Sequence, residues 1–432
     1  MATYSLPGNR MPRILFVLIN GGGNVPSQLS IARRLVQRGH DVHVLADPAV
    51  SRHATAAGCH FHQFELAPPG FSDAPDDVVR AHERQPAMAK LRRVGEDIMF
   101  GPAAAHAEDL RRAIGRLAPD ALAVDCLLFG AMAGAEASGI PAATLTHFPL
   151  HGPVAGAVPG GLGLKPAAGI VGALRDRLLD VVKRRISAPG LASVNATRRS
   201  LDLAPLRDVF EQLLRLDRVL LLFPREFDFV PSGLPPHVQY VGAQLDDPLL
   251  ATTATPPITK NERAPLVVLS LGSTYQAQER PFARALDALS SLPVRGIASY
   301  GLLDAPSAPQ PPNVQVSQWV SHHAILPEAA AMICHGGLGS VMKAVSHAVP
   351  LVVVPLGRDQ FDNAARVEAC GAGIRVSRNA SARVIANAVR RVLHEPAYRS
   401  AARRLAEVIA RDTAADGAVR EIEALAGRPR RS

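Results

Sequence analysis

Aromatic side chains are scarce in this sequence of 432 residues: they make up 4%, and Trp319 is the single tryptophan. Lysine is scarcer still. Lys90, Lys165, Lys183, Lys260 and Lys343 are the only lysines among 47 basic residues, so the formal charge of +9 is carried largely by arginine. A nucleic-acid-binding chain clusters its basic residues and interleaves aromatics that stack on bases. Neither pattern is present, and the basic, alanine-rich composition reads as coding bias rather than as a partner. Cys59, Cys126, Cys334 and Cys370 lie far apart and form no C-x-x-C, which argues against a disulfide framework or a structural zinc site and fits a reducing cytosol. Long hydrophobic runs are also missing. Ile14–Ile19 is only six residues and ends in Asn20 and three glycines, unlike a signal-peptide core. No run approaches the roughly 20 apolar residues that span a bilayer. A cytoplasmic protein without a transmembrane segment is expected.

The residues that remain are of globular composition, 47% apolar and 20% charged, in a chain long enough for two domains with a core each. Strand and helix signals alternate through the first half. Ile14–Ile19, Asp41–Ala46, His60–Phe64, Ala121–Val124 and Ala142–Thr146 read as strands. Leu29–Gln37, a long stretch Met88–Leu117, and Ala131–Ala137 read as helices. Such alternation means βαβ units and a parallel sheet. From His151 to Leu191 the pattern gives way to an apolar Gly/Pro/Ala-rich stretch, with a helix near Ile170–Arg185, expected to form a lid or pocket wall. Strands Val219–Phe223 and Val238–Val241 follow. A second alternating series begins at Leu266 and runs through strands Val294–Ser299, Val314–Val316, Ala331–Cys334 and Leu351–Val354, with helical signals from Ser381 onward. The expected organisation is an α/β chain of two Rossmann-like doubly wound domains facing a cleft: residues 1–245, a linker 246–264, and 265–432 with C-terminal helices.

The most informative segment is Ala331–Asn363, which reads as strand, glycine turn, helix, proline stop and strand. Gly336, Gly337 and Gly339 let a ligand approach the backbone, and the N–H groups opening the helix form an anion site. His335 at the strand end can donate to the same anion, and Ser340 adds a hydroxyl. Asp359 and Gln360 follow the next strand, where a carboxylate beside an amide suits vicinal hydroxyls. A cluster of Cys59, His60 and His62 carries less: the histidines share one strand face and the cysteine points to the other, as in a half-exposed strand rather than a zinc site.

With those residues in hand, the segment His335-Gly-Gly-Leu-Gly-Ser340, followed by Ala348-Val-Pro350, Pro355, Asp359-Gln360 and Asn363, resembles the nucleotide-sugar signature of glycosyltransferase family 1. Val268–Ser273, Gln318-Trp319-Val320 and Ile14–Val44 resemble further segments of that family, so the likeness covers nearly the whole chain. The resemblance implies the GT-B fold, with the donor bound mainly by the second domain and the acceptor by the first. It implies that Trp319 lies against the base, and that His335 and the amides around Gly337, Gly339 and Ser340 hold the diphosphate with Ser273 nearby. Asp359 and Gln360 would bind sugar hydroxyls. The nucleotide sugar, UDP- or dTDP-linked, would be a co-substrate, with neither cofactor nor metal. An inverting transfer to a small lipophilic natural-product acceptor is the expected reaction.

Two departures stand out. The family's general base is usually a histidine in the glycine loop after the first strand; here Asn24 occupies that position, although Asp125 matches its partner aspartate. An amide takes no proton at neutral pH. Three readings follow: Asp125 acts as the base, directly or through water; His147 or His151 reaches the acceptor; or the chain is a weak or silent helper. A nucleotide-sugar epimerase on the same fold is a further alternative. Lys343 stands where UDP-dependent members often carry a glutamate, which leaves a deoxythymidine donor open.

Overall fold

The computed structural model describes residues 11–68, 85–150, 152–246, 263–304 and 310–430. Two parallel sheets organise them. The first contains β1 (Arg13–Val17), β2 (Asp41–Ala46), β3 (His60–Gln63), β4 (Ala121–Asp125), β5 (Ala142–Thr146), β6 (Arg218–Leu221) and β7 (Val238–Tyr240), in the order β3-β2-β1-β4-β5-β6-β7. The second contains β8 (Leu266–Ser270), β9 (Arg295–Ser299), β10 (Val314–Ser317), β11 (Ala329–Cys334), β12 (Leu351–Val353) and β13 (Gly373–Arg375), in the order β10-β9-β8-β11-β12-β13. Strands β4, β5 and β8 are buried along their whole length, as strands covered by helices on both faces must be. The strand order reverses between β1 and β4 in one sheet and between β8 and β11 in the other. Doubly wound sheets bind ligands at that reversal, beyond the carboxyl ends of the strands. Asn24, Asp125, Ser273 and His335 stand at or beyond the carboxyl ends of these four strands.

Several contacts tie the domains together around one cleft. Arg366 and Asp228 form a buried ion pair at 2.7 Å, and the second Asp228 oxygen accepts from the Tyr240 hydroxyl. Asp362 accepts from the backbone N–H groups of Gly161 and Gly163 at 2.6 and 2.8 Å. The helix Gly417–Ala426 crosses back to the first sheet, where it lies against β4, β5 and the helix Asn24–Gln37, and its Val419, Ile422 and Leu425 join the core that also holds Ile14, Phe16 and Leu18.

Two helices differ from the pattern read in the sequence. The stretch expected as one helix over 88–117 is broken: Ala87–Val94 passes into a wide turn at Gly95–Met99, and a new helix runs Ala103–Leu117. The chain folds back so tightly there that a Cβ on Gly101 would lie 1.7 Å from the Glu96 carbonyl oxygen. The helix expected to end near Arg185 instead runs Gly169–Ser200, with Pro189 inside it. Its far half is held by Phe100, whose ring fills the space a Gly190 side chain would take and whose carbonyl accepts from Ser193. The expected linker falls almost wholly on residues 247–262, and His151 is a single gap; both lie outside the described residues.

Candidate active site

The cleft between the domains has a volume of about 2210 Å³ and is lined from both sides. Its second-domain wall starts at the turn after β11. Gly336 has φ +88°, and a Cβ there would come within 2.7 Å of Val353 Cγ1, so only glycine makes this turn without strain. Gly337 precedes helix Leu338–Ser346, which has no side-chain cap on its first N–H groups. These donors therefore point into the cleft uncapped, with the positive end of the helix dipole behind them. Gly339 has open space where its side chain would be.

His335 is buried at 8% exposure, its ring wedged between two glycine backbones. A Cβ on Gly337 would sit 2.4 Å from its Nε2, and one on Gly272 at 3.1 Å. Gly337 is thus required by the imidazole as much as by any ligand. Burial, reinforced by the Arg358 and His322 charges, pushes the His335 imidazole down to about 4, so it is neutral at pH 7 and meets an anion as a hydrogen-bond donor rather than as a cation. Its Nδ1 is buried without a partner at full hydrogen-bond geometry, while the Ser270 backbone beside the ring favours the protonated form.

Trp319 is 37% exposed in the cleft, with the other side of its ring against Gly301 at 3.6 Å from a built Cβ. A half-open indole is a platform rather than core packing. Ser273 is exposed on the loop after β8, and Ser340, Lys343 and Arg358 line the same wall.

Asp359 stands at the cleft with its carboxyl raised above the ordinary value, chiefly by burial, and one oxygen accepts from Asn363 Nδ2 at 2.7 Å. The same Asn363 nitrogen donates to the Gly336 carbonyl, so this asparagine couples the glycine turn to Asp359. Gln360 also borders the cleft, but most of its amide is engaged. Its oxygen accepts from the N–H groups of Leu356 and Gly357, and its nitrogen donates to Gln276. The sequence motif does not reveal that Gln360 shapes the loop, nor that Arg358 enters the site with a left-handed φ of 56°.

On the first-domain wall, Asn24 is buried and makes three hydrogen bonds. Its oxygen accepts from Gly21 N–H, and its nitrogen donates to the Ile19 carbonyl and, at 2.7 Å, to Asp125 Oδ2. Gln28 Nε2 donates to the same Asp125 oxygen, and Leu127 N–H binds the other at 2.8 Å. Asp125 is fully buried behind these donors. His147 lies beside it with Nδ1 3.9 Å from Asp125 Oδ2 and 3.6 Å from Cys126 Sγ. The three ligand-type atoms lie within 4.8 Å of one another. Burial and the neighbouring Asp125 charge push the Cys126 thiol well up, so it stays protonated. Above them, helix Gly169–Ser200 turns Leu179, Val182, Lys183 and Ile186 into the cleft, while Ile170, Val171, Leu174 and Leu178 are exposed. Among the described residues no helix is long and apolar enough to cross a membrane.

Comparison with known proteins places this geometry. Residues 303–425 match the family model of the erythromycin biosynthesis protein CIII-like C-terminal domain. Over 424 residues the chain is 32% identical to 4'-demethylrebeccamycin synthase of Lentzea aerocolonigenes, covering 96% of this chain and 99% of that protein. The glycosyltransferase of kitacinnamycin superposes with a TM-score of 0.77 at 22% identity, covering 97% of this chain and 100% of that one. A spinosyn rhamnosyltransferase complexed with thymidine diphosphate superposes at 0.64 with 20% identity, over 95% and 100% of the two chains. The chain therefore belongs to the bacterial natural-product glycosyltransferases, enzymes of the GT-B fold within glycosyltransferase family 1.

Proposed function

We propose that this enzyme catalyses an inverting, metal-independent transfer of a hexose from a nucleoside diphosphate sugar to a small lipophilic acceptor. The observation that carries the donor half is the uncapped start of helix Leu338–Ser346 beside the neutral His335. Backbone N–H groups and an imidazole donor meet the diphosphate as its negative charge grows, which is where preorganised dipoles lower a barrier most. Arg358 adds a full charge on the same wall. Trp319 offers its open face to the base, and Asp359 and Gln360 stand where the sugar hydroxyls would lie, with Ser273 beside the phosphates. Lys343 can only donate hydrogen bonds and cannot accept from the ribose 2′- and 3′-hydroxyls as a glutamate there would, which removes a preference for ribose over deoxyribose. A dTDP sugar is the proposed donor. On the opposite wall, Leu179, Val182 and Ile186 suit an acceptor of low polarity.

Calorimetric titration with UDP- and dTDP-sugars tests this reading. Saturable binding of a dTDP-sugar is expected, weakened at least tenfold in His335→Ala, with turnover unchanged by a chelator. Failure of every nucleotide sugar to bind the wild type would sink the proposal, and loss of turnover in EDTA would remove its metal-independent part.

A further inference from the structure

A transferase that joins a sugar to a hydroxyl has to remove the hydroxyl's proton, and on this chain the loop position that resembles the family's base position holds Asn24. That amide is not basic, both its hydrogens are donated, and its oxygen already accepts from Gly21. Asp125 is no easier to reach, being fully buried behind the amides of Asn24 and Gln28 and the N–H of Leu127.

The neighbouring strand supplies a different group. Asp125 pairs in register with Leu145 on β5. Side chains alternate along a strand, so the residue two positions on, His147, emerges on the same side as Asp125. It is partly exposed and lines the cleft. Its Nδ1 faces Asp125 and Cys126, which turns Nε2 away from the buried pair. His147 is also close enough to Asp359, across the cleft, for its charge to favour the ionised Asp359 carboxylate. The imidazole thus stands between a buried carboxylate of one domain and the proposed sugar-binding carboxylate of the other. Phe148 packs edge-on to its ring at 5.2 Å.

Resting on the transferase reading above, we propose that His147 is the general base of this enzyme and that Asp125 is its positioning residue. The carboxylate favours the tautomer with hydrogen on Nδ1, leaving the Nε2 lone pair for the acceptor. The 3.9 Å separation is longer than a hydrogen bond; such contacts commonly tighten only with substrate in place. In the reaction the acceptor O–H proton moves to Nε2 as the oxygen lone pair forms the bond to the anomeric carbon. The bond from that carbon to the diphosphate oxygen breaks, and its electron pair leaves on the diphosphate. The imidazolium rests between Asp125 and Asp359, then returns its proton to solvent. The base has moved from one neighbour of β4 to the other, from the loop after β1 to the end of β5, while keeping the same aspartate.

The test compares two probe acceptors with dTDP-glucose and UDP-glucose: a simple phenol, protonated until about pH 10, and a nitrophenol already ionised under the assay conditions. A base matters only to the first. His147→Ala is expected to lower kcat for phenol about 100-fold or more, to change kcat for the nitrophenolate by less than about fivefold, and to leave calorimetric donor binding intact. Adding Asn24→His to His147→Ala returns an imidazole to Asp125 and is expected to regain at least tenfold with phenol. Equal losses on both probes, or no loss on phenol, would overturn the assignment. So would a wild type that binds donor yet turns over neither probe. A wild type that binds no donor would instead bring down the transferase reading itself, and donor binding is measured first for that reason.

Discussion

Two buried histidines illustrate how the same residue chemistry sets site electrostatics in one place and stability in another. His335 and His106 are each held near pKa 4 by burial, far below the value near 6.5 of an exposed imidazole. At His335 the consequence is a neutral donor facing the proposed diphosphate. His106 lies outside the cleft wall, 1% exposed, edge-on to Phe64 with both ring nitrogens unpaired, so its shift bears on folding alone. The unfolded chain protonates this imidazole below about pH 6.5, whereas the folded chain resists until about pH 4. Stability therefore falls as pH drops through that window and is unaffected above it, by a total on the order of 3 kcal/mol for this group. Replacing His106 with leucine is expected to leave the unfolding free energy from urea titration at pH 7 within about 1 kcal/mol of wild type and to flatten its decline between pH 6.5 and 4. An unchanged pH dependence in the variant would show that other groups carry the acid sensitivity.

Among the elements, the ones read well from sequence are those whose causes are local. The short runs at Asp41–Ala46 and Ala142–Thr146 match β2 and β5 end to end, because a mostly apolar, β-branched-rich stretch with a turn at each end is enough to mark a strand covered on both faces. The glycine turn after β11 was legible for the same reason. What the sequence hid depends on contacts between distant segments. Helix Gly169–Ser200 continues through Pro189 because Phe100 packs into the gap left by Gly190, a match between positions 90 residues apart that no local pattern displays. The roles of Gln28 and Asn363 were equally invisible: each is defined by a partner on another loop, Asp125 in one case and Gly336 in the other. The long helix also carries the acceptor prediction. Val182 and Ile186 lie one turn apart on its cleft face. Replacing Val182 with aspartate places a charge against the acceptor but far in chemistry from the phosphate-binding turn. A rise of at least tenfold in acceptor KM is expected, with donor affinity unchanged in calorimetry; an unchanged KM would show that the acceptor binds elsewhere.

For the molecule as a whole, the groups proposed for donor binding and catalysis are divided between domains, so their alignment depends on what locks one domain to the other. Asp359 and His335 belong to the second sheet; Asp125 and His147 belong to the first. Near them the lock is the Arg366–Asp228 pair, whose side chains are 6% and 2% exposed and whose remaining capacity is filled by Tyr240, the Asp362 carbonyl and the Phe229 ring beneath the guanidinium. A pair so enclosed contributes little relative to an apolar contact of the same shape, but removing one partner strands a buried charge, at a cost of about 3–5 kcal/mol. The exposed pair Arg411–Glu226, at the same interface, is screened by water and contributes about 0–1 kcal/mol. Because Arg366 sits on the helix that begins at Gln360, its loss also frees the loop carrying Asp359. Arg366→Ala is therefore expected to lower the thermal midpoint by several degrees and to weaken donor binding, whereas Arg411→Ala does neither. Arg366→Met, which keeps the volume without the charge, leaves Asp228 alone and is expected to be as damaging as alanine; the double change to Arg366→Met with Asp228→Leu removes both charges and should regain most of the stability. If the double variant regains stability but not donor affinity, the pair's task is domain alignment rather than folding, and the split of the proposed site residues across two sheets is what makes that alignment necessary.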